Sequence, residues 1–197
     1  MKIIFESESE MSIISNMNIY DDIKIVAMDV DSTLTDGIYQ ISEQEVGHGI
    51  VTKSFYTRDF YAIEQLMRAG ILVCIITQSH DKVIERQVQR IASHSDFWSG
   101  KWNSFNGLKV LTGINNKKKA IKDQVLMKSG FDWHNVAYIG DAENDVTCMK
   151  KALFTGCPAD AIEEVKENVN YISEFPGGRG AVYDFCMHIL KQRKNNE

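Results

Sequence analysis

The residues with the clearest chemical potential are carboxylates that follow two apolar segments. Asp29 and Asp31 flank Val30 in DVDSTLTDG, and Asp141 and Asp145 lie in AYIGDAEND. Carboxylates can bind a hard cation, attack an electrophile or transfer protons. Taken singly, the same residues are equally suited to solvated turns or helix N-caps. Their type alone therefore does not separate catalysis from local structure.

A hydroxyl and an ammonium group occur between these carboxylates in the chain. Thr77 closes the apolar run ILVCIIT, and Lys117 opens the segment NKKKAI. Thr77 could be an ordinary cap, and Lys117 could belong to a charged, solvated helix face. However, the order DxDxT, Thr, Lys, GDxxxD is hard to obtain by chance, which favours one common site.

Strands that alternate with helices must position these side chains. The runs IKIVAMDVD, ILVCIIT, NVAYIGD and ALFTG predict short buried strands. Helices are predicted over FYAIEQLMRAG, ending at Gly70, and near residues 80–92, 116–129 and 143–151. This alternation predicts an α/β fold with a doubly wound, Rossmann-like parallel sheet.

The carboxyl ends of such strands are where the sheet binds its ligands, at the point where the strand order reverses. The side chains of Asp29, Asp31, Thr77 and Asp141 all fall at these ends. The predicted fold therefore brings the four residues to one edge.

The rest of the chain predicts one domain with additions. Residues 1–20 are an acidic N-terminal extension without a sustained period, and residues 21–197 form a single domain. Residues 37–56 alternate partly, with Gly47 and Gly49 near the middle, which predicts a projecting β-hairpin.

Composition limits the classes of function. The formal net charge of -5 argues against a broad surface for nucleic acid or anionic membrane. The four cysteines show neither a CxxC pair nor dense spacing, which predicts reduced thiols without a zinc site: Cys74, Cys148, Cys157 and Cys186. Because no apolar run approaches the length of a membrane span, and the start is too short and acidic for a signal peptide, we expect a cytoplasmic protein.

The motif order resembles that of the haloacid dehalogenase superfamily, from about Lys24 to the C-terminus. The resemblance implies a phosphatase in which Asp29 forms an aspartyl-phosphate and Asp31 is the general acid and base. It also implies a Mg²⁺ cofactor held by Asp29, the Asp31 backbone carbonyl and Asp141. Thr77 and Lys117 would bind the phosphoryl oxygens.

Two further residue roles come from the same resemblance. Lys117 should also restrain the Asp29 carboxylate. Asp145 is expected to orient the metal ligands from behind rather than to bind the metal directly.

Two segments resemble a narrower, capless group, the phosphatases for 3-deoxy-D-manno-octulosonate (KDO) 8-phosphate and 2-keto-3-deoxynononate (KDN) 9-phosphate. They are KSFYTRDFYAI and PGGRGAV. Residues 32–76 leave no room for a large cap domain. The resemblance implies a sugar acid phosphate as substrate, with Arg58, Asp59 and Arg179 as candidate contacts. A surface salt bridge for Arg58 and Asp59, and a structural turn for Arg179, remain alternatives.

This group implies a homotetramer in which hairpins pack together and one subunit closes the site of the next. The hairpin 37–56 and the C-terminal tail 177–197 would then be interface elements. Three departures from the group lie near the expected pocket and bear on substrate identity: Phe60, Gln78 and the pair Ser79-His80.

Two other functions remain open. The segments WHNVAYIGD, PADA and NYISEFPGGRGAVYDF also resemble the C-terminal domain of animal CMP-sialate synthetases, a related fold with altered catalytic positions. The chain could accordingly be a non-catalytic oligomerisation module, although its intact catalytic positions argue against this. It could also be a phosphatase for another small metabolite, outside the favoured substrates KDO 8-phosphate, KDN 9-phosphate and sialate 9-phosphate.

Overall fold

The computed structural model describes residues 18–42, 50–94 and 107–194. The strands found there are β1 (Ile25–Met28), β2 (Gln40–Ser42), β3 (Ile50–Thr52), β4 (Leu72–Ile76), β5 (Leu108–Leu111), β6 (Val136–Ile139), β7 (Phe154–Cys157) and β8 (Tyr171–Ile172).

The helices in these ranges are α1 (Thr57–Arg68), α2 (Val83–His94), α3 (Lys117–Ile121), α4 (Glu143–Met149), α5 (Glu163–Lys166) and α6 (Ala181–Lys194). Helix α3 continues through a π-helical segment, Lys122–Leu126, into a last α-helical turn, Met127–Ser129. That turn ends at Gly130, whose φ of 76° is left-handed, as the sequence predicts. Within the described residues, none of the helices is long and apolar enough to cross a bilayer.

Six strands form one parallel sheet in the order β5-β4-β1-β6-β7-β8. The strand order reverses at β1, which pairs with β4 on one side and β6 on the other. Met28, the last residue of β1, lies opposite Ile75 and Ile139, so the three strands end at nearly the same level. The predicted doubly wound α/β sheet is thus confirmed, with its ligand edge beside β1.

Alternate residues of the central strand face two separate hydrophobic cores. Val26 and Met28 pack in the core that includes residues of α1 and α6. Ile25 and Ala27 pack in the core that includes residues of α3 and α4. Because successive side chains of a strand point to opposite faces, a strand covered on both sides must be apolar throughout.

The hairpin strands β2 and β3 pair antiparallel, with Ile41 opposite Val51. Residues 43–49, which include the two glycines of the predicted turn, lie outside the described part. The side chains of Ile41 and Ile50 are 71% and 53% exposed in this single chain. The hairpin therefore carries apolar surface away from both cores.

Most of the predicted C-terminal tail is a core helix. In α6, Val182, Phe185 and Ile189 are fully buried in the core beneath α1. Residues 181–194 are therefore not a free tail, because the sheet depends on them for burial. Residue Tyr20 of the predicted N-terminal extension also packs on this core, and its hydroxyl forms a hydrogen bond with His188 at 3.0 Å.

Candidate active site

The loop after β1 turns sharply at the edge of the sheet. The backbone N–H of Asp29 still donates to the carbonyl of Ile139 at 3.0 Å, which anchors its position to β6. The N–H of Thr35 returns to the carbonyl of Val30 at 2.9 Å. Ser32 has a φ of 60°, an uncommon value for a residue with a side chain. The strand thus ends in a compact loop that holds Asp29 and Asp31 at one place.

Lys117 joins two of the predicted carboxylates. It is the first residue of α3, its side chain is 1% exposed, and its Nζ lies 2.6 Å from Asp29 Oδ1 and 2.7 Å from Asp145 Oδ1. Burial lowers the pKa of Lys117, but the charges of the two carboxylates outweigh burial and raise the pKa overall. The ammonium group therefore stays charged and forms an ion pair with Asp29; the restraint of Asp29 during a reaction stays a prediction.

Asp145 is held on every side. Its Oδ1 also accepts a hydrogen bond from the Tyr138 hydroxyl at 2.6 Å, and its Oδ2 accepts from the backbone N–H groups of Asp141 at 3.0 Å and Ala142 at 3.2 Å. With both oxygens engaged and no exposed surface, Asp145 is suited to positioning Lys117 and the 141–142 backbone. The role behind the metal ligands, which the resemblance implies for Asp145, stays a prediction.

A cation would suit the space between these carboxylates. One ligand atom from each of Asp29, Asp141 and Asp145 lies within 4.8 Å of the others, and the Thr33 hydroxyl donates to Asp141 Oδ1 at 3.1 Å. Burial, with the charge of Asp145, raises the pKa of Asp29 to about 8 and that of Asp141 to about 6. These raised pKa values indicate that the single Lys117 ammonium does not offset three ionised carboxylates, which leaves a deficit of positive charge that a bound cation would fill. Oxygen donors with such a deficit fit Mg²⁺.

The side chain of Asp31 has a different set of partners from that carboxylate cluster. Its Oδ1 accepts from Lys53 Nζ at 2.7 Å, and its Oδ2 accepts from the hydroxyls of Tyr39 at 3.1 Å and Thr77 at 3.4 Å. Lys53 also lies 2.8 Å from Asp81 Oδ2. The two predicted catalytic carboxylates are thus each paired with their own lysine, Asp29 with Lys117 and Asp31 with Lys53.

Sequence reasoning missed Lys53, Tyr39 and Asp81. A signal for Lys53 was available, because it is the first residue of the family-like segment KSFYTRDFYAI. No comparable pattern marks Tyr39 or Asp81. Tyr39 reaches Asp31 only through the folding of the hairpin, and Asp81 reaches Lys53 only through the folding of the loop after β4.

The three candidate substrate contacts have different surroundings. Arg58 is exposed on α1, whereas Asp59 is fully buried and its Oδ1 accepts a hydrogen bond from the Tyr183 N–H of α6 at 2.8 Å. Arg179 is exposed and lies 3.5 Å from Asp36. The contact of Asp59 is thus with the C-terminal helix, and substrate roles for these residues stay predictions.

Two departures from the family pattern have distinct surroundings. Phe60 is buried in the core and packs edge-on against Phe55, with ring centroids 5.6 Å apart. The Phe60 ring thus turns into the core, and its effect on substrate identity stays a prediction. Ser79, in contrast, lies at the site: its hydroxyl contacts Asp81 and receives a hydrogen bond from Tyr39 at 3.4 Å.

The PGGRG segment closes against the loop after β1. The N–H of Gly178 donates to the carbonyl of Thr33 at 3.0 Å, and the N–H of Gly177 donates to Asp160 at 2.9 Å. A side chain on Gly177 would overlap the carbonyl of Ser32. These glycines are needed because two backbones touch here.

Known proteins are similar to this chain in sequence. The chain is 30% identical over 179 residues to the 3-deoxy-D-manno-octulosonate 8-phosphate phosphatase of Escherichia coli K12, a match covering 90% of this chain and 85% of that protein. It is 27% identical over 172 residues to N-acylneuraminate cytidylyltransferase A of Danio rerio, covering 87% of this chain and 36% of that protein.

A solved structure agrees with the sequence relatives. The 3-deoxy-D-manno-octulosonate 8-phosphate phosphatase of Moraxella catarrhalis, in complex with magnesium, phosphate and KDO, superimposes with a TM-score of 0.73 at 29% identity. The match covers 90% of this chain and 93% of that one. The predicted fold, and the predicted likeness to this group of phosphatases, are confirmed.

A family model for haloacid dehalogenase-like hydrolases matches residues 5–185, which is most of the chain. The predicted enzyme class, a hydrolase of this superfamily, is confirmed by this match together with the phosphatase relatives. The chain belongs to the haloacid dehalogenase-like hydrolase family.

Proposed function

We propose that the protein is a Mg²⁺-dependent phosphatase acting on the phosphate monoester of a 2-keto-3-deoxy sugar acid. The observation that carries the proposal is the buried Lys117, held between Asp29 and Asp145 at the edge where Asp141 also lies. Such a site can bind a cation through its carboxylates and a phosphate anion through its ammonium group, because one ammonium does not neutralise all of the carboxylates.

The reaction proceeds in two displacements. An oxygen of Asp29 forms a bond to phosphorus as the bond from phosphorus to the leaving oxygen breaks, and the acid form of Asp31 gives its proton to that oxygen. Water then attacks the phosphorus of the aspartyl-phosphate. Asp31 takes a proton from the water, the bond to Asp29 breaks, and inorganic phosphate leaves.

The surrounding residues stabilise the charge on the transferring group. Lys117 lies beside Asp29, and the Thr77 hydroxyl follows the end of β4. We expect both to bind the equatorial oxygens. Asp29, Asp141 and the Asp31 backbone carbonyl would hold the metal. Mg²⁺, when bound, would offset the repulsion between these carboxylates and the phosphate dianion.

The substrate class follows from the relatives. Both the E. coli relative and the M. catarrhalis structure are phosphatases for KDO 8-phosphate, and the latter was solved with KDO. KDO 8-phosphate is therefore the first candidate, followed by KDN 9-phosphate and sialate 9-phosphate. The exposed Arg58 and Arg179 are the residues proposed to contact the sugar acid, and Arg179 can bind a carboxylate through two nitrogens.

The protein is also proposed to be a homotetramer. The exposed Ile41 and Ile50 on the hairpin support this, since an apolar hairpin gains stability by packing on another subunit. Light scattering of the purified protein measures its mass directly. The variant Ile41→Ser should lower the assembled fraction, and a monomeric wild type would refute the proposal.

The activity is tested by Mg²⁺-dependent phosphate release from KDO 8-phosphate, KDN 9-phosphate, N-acetylneuraminate 9-phosphate and unrelated sugar phosphates. A strong preference for one sugar acid phosphate is expected, and its loss on chelation should be reversed by added Mg²⁺. No release from any substrate, in the presence of Mg²⁺, would refute the proposal and favour a non-catalytic oligomerisation module.

The residue assignment is tested by Asp29→Asn. The variant should lose turnover by at least about a thousandfold, because its amide cannot form the aspartyl-phosphate. Asp21→Asn is the matched control, since it makes the same chemical change on an exposed residue before β1 and should keep wild-type turnover. A well-folded Asp29→Asn protein with most of its activity would overturn the mechanism.

A further inference from the structure

Lys53 is a second buried ammonium group at the site, and it lies beside Asp31. Its side chain is 2% exposed, and its Nζ lies 2.7 Å from Asp31 Oδ1 and 2.8 Å from Asp81 Oδ2. It also lies over the Tyr39 ring, 4.4 Å from the ring centroid. A buried lysine with this many partners has one geometry, because any other would leave charges unpaired.

The two ends of the hairpin meet at Asp31. Tyr39 directly precedes β2 and donates to Asp31 Oδ2, whereas Lys53 directly follows β3 and donates to Asp31 Oδ1. Each carboxylate oxygen is thus held by a different arm of the hairpin. Since Asp81 comes from the loop after β4, the position of Lys53 is fixed by a third part of the chain.

The two lysines of the site serve different carboxylates. Lys117 is bound to Asp29 and Asp145, whereas Lys53 is bound to Asp31 and Asp81. Asp31 is the carboxyl group that would face the leaving oxygen in the proposed reaction. Lys53 therefore contacts one proposed reacting group without contacting the proposed nucleophile's partners, Lys117 and Asp145.

We propose that Lys53 is a positioning residue that, with Tyr39, orients the Asp31 carboxyl for proton transfer to the leaving oxygen, while Asp81 holds Lys53. This inference rests on the proposed phosphatase function. The proton balance is that given above: Asp31 gives one proton to the leaving oxygen and regains one from water. Misplacing a reacting group by about 1 Å can cost about a hundredfold in rate.

The test compares two leaving groups in the variant Lys53→Met, which keeps the length of the side chain and removes its charge. A sugar alkoxide needs a proton as it leaves, whereas p-nitrophenolate leaves as a stable anion. The value of kcat/KM reports steps up to the departure of the leaving group. It should therefore fall about 10- to 100-fold for KDO 8-phosphate, or whichever sugar phosphate is best in the panel, but less than about threefold for p-nitrophenyl phosphate.

The control is Lys166→Met, which removes a lysine paired with Glu163 on the surface and should leave both values unchanged. Tyr39→Phe removes one donor to Asp31 from a largely exposed residue, so it tests the proposal even where Lys53→Met does not fold. It should show the same selective loss, to a smaller extent.

Equal losses on the two substrates, or no loss on either, would overturn the positioning role while leaving the phosphatase function standing. A wild-type protein inactive on both substrates would instead refute the proposed function, and the role of Lys53 in it.

Discussion

Replacing Asp59 with asparagine should make the protein more stable at neutral pH and leave it nearly unchanged in acid. Asp59 is fully buried between α1 and α6, its Oδ1 accepts from Tyr183, and its Oδ2 has no hydrogen-bond partner among the described residues. Burial raises its pKa from 3.8 to about 7, and the Tyr183 hydrogen bond offsets only part of this. Asparagine keeps the acceptor for Tyr183 and cannot ionise.

The change in the free energy of unfolding with pH follows from the difference in proton binding between the folded and unfolded protein. Because the folded pKa lies above the unfolded one, the folded protein binds more protons between these values, and the free energy of unfolding falls as pH rises. The loss is at most about 1.4 kcal/mol per pH unit, which gives about 2 to 3 kcal/mol between pH 5 and pH 7. Above pH 7 it levels off. The Asp59→Asn variant lacks this contribution.

Urea unfolding of both proteins at pH 5, 6, 7 and 8 measures the difference in the free energy of unfolding. The Asp59→Asn variant should become increasingly more stable than the wild type up to about pH 7. The slope of the free energy of unfolding against urea concentration should be the same for both proteins. A difference that stays constant with pH would refute the reasoning, since it would mean that Asp59 ionises without cost in the folded protein. An unchanged KM in the variant would also show that the Asp59 carboxylate does not contribute to substrate binding.

Other substitutions test a buried hydrogen bond at the site and the close contact between two backbone segments. Tyr138→Phe should lower the free energy of unfolding by about 1 to 3 kcal/mol, because Asp145 loses a buried hydrogen bond; chemical unfolding measures this. Gly178→Ala should abolish or strongly reduce phosphate release, since its Cβ would overlap the backbone of residues 35–36. Gly130→Ala is its matched control, because Gly130 is also left-handed but has no atom within 4 Å of the added Cβ. This variant should lose about 1 kcal/mol in the free energy of unfolding and keep its activity.

The sequence was most informative about residues at strand ends. Asp29, Thr77 and Asp141 each follow an apolar run, and parallel strands in register must bring their ends to one edge. The position of Lys117 at a helix start was predicted as well, but its burial between Asp29 and Asp145 was not, because that depends on how α3 packs on the sheet.

The burial of Asp59 has a signal in the sequence. It lies four residues before Ile63 and seven before Leu66, which places it on the apolar face of α1. Helical periodicity therefore predicts burial for Asp59 and exposure for Arg58, as observed. In contrast, no local pattern could show that Tyr39 and Lys53 both reach Asp31, since the contacts depend on tertiary structure.

The contact between Gly178 and the loop after β1 has a consequence for the order of folding. Asp29 and the backbone that supports its loop lie far apart in sequence, since the N–H of Gly178 binds the carbonyl of Thr33. The core under α1 likewise requires α6. Contacts so distant in sequence form late in folding. The loop that carries Asp29 should therefore reach its final conformation late, and activity should return after secondary structure when the unfolded protein refolds.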